Sequence, residues 1–227
     1  MKFGIIGAMD EEIEFIKSEM DNKQEFEIAN SLFIEGTIND NLVVLVKSGI
    51  GKVNAAMTTT ILIERFQPSH IINTGSAGGF DNSLEVGDVV VGKQLVYHDV
   101  DVTAFNYEFG QVPQLPPTFK SDDELIEKAI SILDELKINY QSGLIATGDS
   151  FMSDVERVKQ VKEIFPRMLA AEMEGTAIAQ VCHQYAIPFI VIRSISDIAG
   201  KDAEISFKEF LQLASKNAAN IIMKMIN

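Results

Sequence analysis

The amino-acid sequence predicts an α/β fold built around a largely parallel or mixed sheet, on three observations. Short β-rich runs alternate with helix-period segments along the whole chain, the pattern of strands that share a sheet while helices cover its faces. The 227 residues suffice for one sizeable core and fall short of two, so a single domain is expected over 1–227. The composition, 46% hydrophobic and 23% charged with 15 Gly and 6 Pro, excludes a disordered or fibrous chain.

The elements follow in order. Residues 2–6 read as a strand and 10–20 as a helix, with Ile13, Ile16 and Met20 at helical spacing and acidic residues in its first turn, among them Glu12. Residues 42–47 form another apolar strand. A turn at 48–51 leads into a helix on which Val53, Ala56, Met57, Thr60 and Ile61 make one face, and Pro68 lies beyond its end. Residues 71–74 enter a glycine-rich turn at 75–79, and 89–91 and 94–103 supply further strand-like sequence. Three prolines within 111–117 remove donors and fix the backbone, which predicts an exposed loop. An amphipathic helix over 122–136, a strand over 143–147 and helices over 155–164 and 175–185 come next. A strongly apolar strand over 188–195 ends at Ser196 and Asp197, and the last helix opens at Ser206 with Glu209 completing a capping-box pattern.

Charge narrows the function. With 33 acidic against 19 basic residues the formal net charge is −14, which repels nucleic-acid phosphates and anionic membrane surfaces. No segment has transmembrane length, and the N-terminus runs from a short apolar stretch straight into acidic residues, unlike a signal peptide. A single cysteine, Cys182, excludes an intramolecular disulfide and fits a reducing cytoplasm.

Carboxylates at strand ends are the feature that demands a reason, because ionised acids avoid apolar surroundings unless paired or useful. Asp197 follows a buried-strand pattern and falls at its C-terminal edge, where open α/β sheets place ligands; a turn or helix cap is the other reading. Glu172 and Glu174 flank Met173, so an extended backbone would turn both acids to one face. Such a pair can accept hydrogen bonds from vicinal ribose hydroxyls while a methionine meets a ring or sulfur; a solvated helix start is the alternative. The glycines at 75–79 could bring backbone amides close to a ligand, yet neither they nor residues 49–52 match a dinucleotide or P-loop pattern. His70, His98 and His183 lack metal-ligand spacing, and no metal or cofactor is assigned. Phe105, Phe151 and Phe207, taken singly, read as packing residues.

Taken together, GIIGAMDEE at 4–12, SGIGKVNAA at 48–56, NTGSAGG at 73–79, AEME at 171–174 and RSISD at 193–197 resemble the bacterial 5'-methylthioadenosine/S-adenosylhomocysteine nucleosidases, within the purine nucleoside phosphorylase-like superfamily. HDVDVTAF at 98–105 and TGDSF at 147–151 are similar to family segments too, so the resemblance spans nearly the whole chain. It implies a three-layer α/β/α domain whose mixed, partly barrel-like sheet is flanked by helices, in a cytoplasmic homodimer. The implied activity is hydrolysis of the N-glycosidic bond of methylthioadenosine, S-adenosylhomocysteine and 5'-deoxyadenosine, in methionine salvage and S-adenosylmethionine recycling. Its partners would be those small thio-adenosine nucleosides and water, with no cofactor.

Residue by residue, the resemblance implies that Asp197 is the acid at adenine N7 and Glu12 the base that activates water, with Glu172, Ser76 and Arg193 positioning that water. Glu174 would hold the ribose hydroxyls, and Met173, Gly78 and the backbone around Phe151 and Met152 would contact base and sugar. Met9, Ile50, Ala77, Ser196 and Phe207 complete the implied substrate pocket, and Phe105 and Pro113 would reach across the dimer to the partner's 5'-substituent pocket. Met152 stands where the family suggests a branched aliphatic residue. The chemistry is coherent, because the leaving adenine needs a proton while the sugar becomes oxocarbenium-like, and this asks for an acid of raised pKa apart from an ionised base. The acidic run 10–12 would repel a phosphate nucleophile, which favours a nucleosidase over a phosphorylase. A purine nucleoside phosphorylase, an aminofutalosine nucleosidase and a non-catalytic nucleoside sensor are the alternatives.

Overall fold

The computed structural model describes residues 1–201 and 203–226, with residue 205 as backbone only. Ten strands are present among them: β1 (Lys2–Gly7), β2 (Asp21–Ile28), β3 (Ser31–Ile38), β4 (Asn41–Lys47), β5 (His70–Gly79), β6 (Val89–Tyr97), β7 (Phe119–Lys120), β8 (Tyr140–Thr147), β9 (Met168–Glu172) and β10 (Phe189–Ile198). Six α-helices accompany them: α1 (Asp10–Glu19), α2 (Lys52–Phe66), α3 (Asp123–Leu136), α4 (Val155–Ile164), α5 (Gly175–Tyr185) and α6 (Ala203–Ile226). The strands form one mixed sheet, nine of them in the order β10-β6-β8-β9-β5-β1-β4-β3-β2 with β7 paired to β6, and β10 pairs with β5 as well. That extra pairing closes β5, β10, β6, β8 and β9 into a barrel, from which β1, β4, β3 and β2 extend.

Strand alternation explains the layers. Ile6, Val46 and Ile71 pack toward Leu62 and Ile178 of α2 and α5, while their neighbours Ile5, Leu45 and Ile72 pack toward Ile16, Leu133 and Ile222 of α1, α3 and α6. Successive side chains point to opposite faces, so a run apolar at every position is buried on both sides. A third cluster, with Phe80, Val96, Met152 and Met168, lies beneath Val158 and Val161 of α4. Local signals set several helix starts: Asp122 accepts from Leu125 N (3.0 Å) at α3, and Asp154 accepts from Arg157 N (2.7 Å) at α4.

The structure differs from the sequence reading at several places. The glycine-rich segment 75–79 is no turn but the second half of β5, paired with β10 in parallel. Strand β6 stops at Tyr97, and Thr103–Phe105 is a short 3-10 turn. On α2 the buried stripe is Ala55, Thr58, Thr59, Leu62, Ile63 and Phe66, whereas Val53 of the expected face is 77% exposed. Thr58 and Thr59 tolerate burial because their hydroxyls donate to the carbonyls of Asn54 (2.8 Å) and Ala55 (2.7 Å). Helix α6 begins at Ala203, so Ser206 lies inside it and caps nothing. Finally, the hairpin β2–β3 went unread: β2 is a charged, mostly exposed edge strand with little apolar alternation to betray it.

Candidate active site

The C-terminal ends of β1, β5, β9 and β10 meet at one cleft of about 360 Å³. Its lining includes Glu12, Ser76, Glu172, Glu174 and Asp197, with Met9, Ile50, Ala77, Gly78, Met173 and Ser196 around them and Phe151 and Phe207 among its apolar members. Phe151 and Phe207 meet edge to face, their ring centroids 5.7 Å apart.

Glu12 occupies the first turn of α1, where a glutamate reaches back to orphaned amides. Its Oε2 accepts from Ala8 N (2.7 Å) and Met9 N (3.2 Å), and its Oε1 accepts from Ser76 N (3.0 Å) and Ser76 Oγ (3.2 Å). The helix cap and the cleft therefore share one side chain. The position depends on Gly75: a Cβ there would stand 2.6 Å from Glu12 Oε1 and collide with Arg193 Nη1.

Arg193 lies opposite Gly75 in the β5–β10 register and is 1% exposed. Its Nη2 donates to Asn73 Oδ1 (2.8 Å) and to Glu172 Oε2, with Glu174 Oε2 at 3.5 Å. Burial opposes its charge, but Glu172, Glu174 and Glu12 outweigh burial and raise its pKa above the ordinary value. Nη2 is thus committed to Asn73 and the carboxylates around it, while Nη1 donates to the Thr74 carbonyl (3.4 Å).

Glu172 ends β9, and the backbone then bends so that Glu174 sits outside the strand at the start of α5. The extended geometry expected for the pair does not hold, yet both acids reach Arg193 because the bend swings Glu174 inward. Neither is a solvated helix start, being 7% and 5% exposed. Glu172 Oε2 also accepts from Glu174 N (3.0 Å) and Gly175 N (2.7 Å), and Glu174 Oε1 accepts from Gly51 N (2.9 Å) at the head of α2. Burial pushes the Glu174 carboxyl up to about 8 although Arg193 pulls the other way.

Asp197 is 3% exposed, and burial raises its pKa while the hydroxyl of Ser196, donating to Oδ1 at 2.8 Å, opposes the shift. A bulge in β10 between Ile195 and Asp197 re-aims this side chain toward the cleft. Gly78 keeps room before it, since a Cβ there would come within 3.0 Å of Asp197 Oδ2.

Three expected contacts lie apart from this lining. Met152 is buried in the third core cluster and reaches only an adjoining crevice, beside Gly78 and Asp197. Phe105, 74% exposed, and Pro113, in the exposed loop, do not enter the cleft of their own chain. Ala8 and Ala171 line it and escaped the sequence reading, because nothing in an alanine's chemistry marks a binding residue. Asn73 and Thr147, which brace Arg193 and Glu172 from behind, escaped as well; a buried polar residue announces itself only once its partner is known. Among the described residues no group of three or more His, Cys, Asp or Glu could hold a metal ion, and no helix is long and apolar enough to cross a membrane.

The phosphorylase superfamily profile matches residues 2–227. A 5'-methylthioadenosine/S-adenosylhomocysteine nucleosidase of Oceanobacillus iheyensis is 54% identical over 226 residues, covering 100% of this chain and 99% of its own. Among solved structures, the nucleosidase of Neisseria meningitidis in complex with methylthio-immucillin-A superposes with a TM-score of 0.97 at 45% identity, over 99% of this chain and 98% of that one. The Colwellia psychrerythraea nucleosidase in complex with adenine gives 0.96 at 48% identity, over 100% and 94%. The chain therefore belongs to the 5'-methylthioadenosine/S-adenosylhomocysteine nucleosidase family of the phosphorylase superfamily.

Proposed function

We propose that the chain, as one nucleosidase domain, hydrolyses the N-glycosidic bond of 5'-methylthioadenosine and S-adenosylhomocysteine, releasing adenine and the thioribose. The observation that carries this reading is the pairing, in one cleft, of a buried acid of raised pKa, Asp197, with Glu12, a carboxylate ringed by four hydrogen-bond donations. Asp197 gives its proton to adenine N7 as the C1'–N9 bond breaks, so the base leaves neutral. Glu12 takes a proton from the water that attacks C1', and Ser76, Glu172 and Arg193 hold that water in place. The acids of the cleft stabilise the oxocarbenium-like sugar. Glu174 accepts hydrogen bonds from the ribose hydroxyls beside the one its Oε1 takes from Gly51 N.

Water rather than phosphate as nucleophile is supported by charge. The lining has three glutamates and no lysine or arginine; Arg193 beneath it is engaged by Glu172 and Glu174, and Lys52 is bound to Asp99 at 2.7 Å. Among the described residues that line the cleft, a phosphate dianion would meet no lysine or arginine. The test is product analysis in phosphate-free buffer across methylthioadenosine, S-adenosylhomocysteine and 5'-deoxyadenosine. Adenine and a free sugar are expected, and a strict phosphate requirement with a sugar-1-phosphate product would overturn the reading.

The working unit proposed is a homodimer, in the cytoplasm. In support, Val53, Ala56, Val100, Val112 and Val181 line an open groove, and Phe105 stands 74% exposed, apolar surface that a second copy would cover. In that arrangement Phe105 and Pro113 of one subunit close the 5'-substituent pocket of the other. The one cysteine, Cys182, is buried and unpaired, which accords with a reducing compartment.

A further inference from the structure

We infer that Thr147 is a positioning residue for the reaction, the group that decides where Glu172 presents its remaining hydrogen-bonding capacity to the cleft. This rests on the role proposed above for Glu172 in holding the attacking water.

The two oxygens of Glu172 stand in different situations. Oε2 accepts from Arg193 Nη2, Glu174 N and Gly175 N, which exhausts its lone pairs. Oε1 accepts from the hydroxyl of Thr147, the one hydrogen-bond partner that the described residues give it. Only Oε1 therefore retains a lone pair for a water in the cleft, and its direction is set by the carboxylate rotation that Thr147 holds.

Thr147 is itself held rigidly. It closes β8 and lies opposite Glu172 in the parallel β8–β9 register, and its carbonyl accepts from His98 N (2.9 Å) while Gly148 N donates to the Glu172 carbonyl (3.1 Å). Its hydroxyl oxygen accepts from Thr176 N (2.8 Å) and lies 2.6 Å from Thr176 Oγ1, which in turn donates to the Val96 carbonyl (2.9 Å). Both threonines are 0% exposed, so no solvent competes for these bonds. Because the Thr176 hydroxyl spends its one proton on Val96, Thr176 Oγ1 can only accept from Thr147, and the Thr147 proton chooses between that oxygen and the Glu172 carboxylate, the stronger acceptor. Strands β6, β8 and β9 and helix α5 thus converge on one carboxylate oxygen, the kind of supporting shell that fixes a reactive group to within a fraction of an ångström.

The test compares Thr147→Val, Thr147→Ala, Thr147→Ser, Glu172→Gln and the Thr147→Val/Glu172→Gln double variant by steady-state methylthioadenosine hydrolysis, with thermal melts to establish folding. Thr147→Val, or Thr147→Ala should the valine variant not fold, is expected to lose about 10-fold in kcat with KM changed less than about 2-fold. Thr147→Ser keeps the hydroxyl and should retain wild-type kcat within about 2-fold. The double variant should be no slower than Glu172→Gln alone, since Thr147 acts only through that carboxylate. Wild-type kcat in the hydroxyl-free variant, a serine variant as slow as the valine variant, or additive losses in the double variant would each overturn the inference while leaving the role of Glu172 standing. A wild-type rate in Glu172→Gln would instead remove the reading on which the inference depends, and the inference with it.

Discussion

Gly75→Ala tests the site most directly, because one added methyl strikes two of its groups. Built on the existing backbone, the new Cβ would collide with Arg193 Nη1 and stand 2.6 Å from Glu12 Oε1 and 2.9 Å from its Cδ. Carbon-centred contacts settle at about 3.5 Å, so relief requires a shift near 0.9 Å at Glu12. Neither neighbour gives way readily: Arg193 is bound to Asn73, Glu172 and Glu174, and Glu12 is held by Ala8, Met9 and Ser76. The strand cannot retreat either, since Gly75 is paired with Arg193 of β10 across the barrel. Overpacking of this kind costs about 1–3 kcal/mol of stability, and misplacing water-orienting groups by about 1 Å lowers kcat by about 10²-fold. The assay is adenine release from methylthioadenosine together with a thermal melt. Gly87→Ala serves as the control: its φ of +98° is foreign to alanine, but nothing lies within 4 Å of its Cβ. It should lose stability, about 1–3 kcal/mol, and keep wild-type kcat. If Gly75→Ala kept kcat within about 3-fold of wild type, the claim that Arg193 and Glu12 are held at catalytic positions by close packing on this glycine would be wrong.

Three further outcomes can be measured. Asp197→Asn removes the transferable proton and should lower kcat by about 10²–10⁴-fold with KM little changed; a near-normal rate would discard it as the acid. Glu174, raised from 4.5 to about 8 in the fold, favours the folded state while neutral; that contribution is complete below 4.5 and disappears as pH rises through about 8. The melting temperature of the wild type relative to Glu174→Gln should accordingly fall between about pH 5 and pH 8, and a constant difference would refute the buried neutral carboxyl. Val53→Glu places a charge on the exposed apolar face of α2 and should yield monomers in sedimentation velocity with reduced turnover, whereas an unchanged dimer would remove this face from the proposed interface.

Much of the molecule was legible in the chain itself. The bounds of α4 and α5 were read without error, because regular apolar spacing, an Asp at the head of α4 and flanking Gly and Pro are local signals that need no knowledge of neighbours. Asp197 marks itself as an acid at the end of an apolar strand, whereas Glu12, Glu172 and Glu174 take on a role only through the family resemblance, and the fold brings all four to one cleft. Local chemistry could not rank them. Two acids two residues apart read better as a solvated helix start until Arg193, some twenty residues further along, is seen between them. Tertiary structure alone decided that 75–79 is strand rather than turn, since its conformation is imposed by pairing with β10 and by the close approach of Glu12 and Arg193. It alone chose the buried face of α2, where threonines that satisfy their own hydroxyls pass for apolar residues. It alone brought Thr147 to Glu172, because a hydroxyl acquires meaning from the carboxylate it meets, and that meeting joins residues 25 apart. The sequence by itself determined which groups carry charge and which segments must be buried, both properties of single residues and their spacing. Closing the barrel determined which charge faces which, because the strand pairings that bring Arg193, Glu172 and Glu12 together are made between distant parts of the chain.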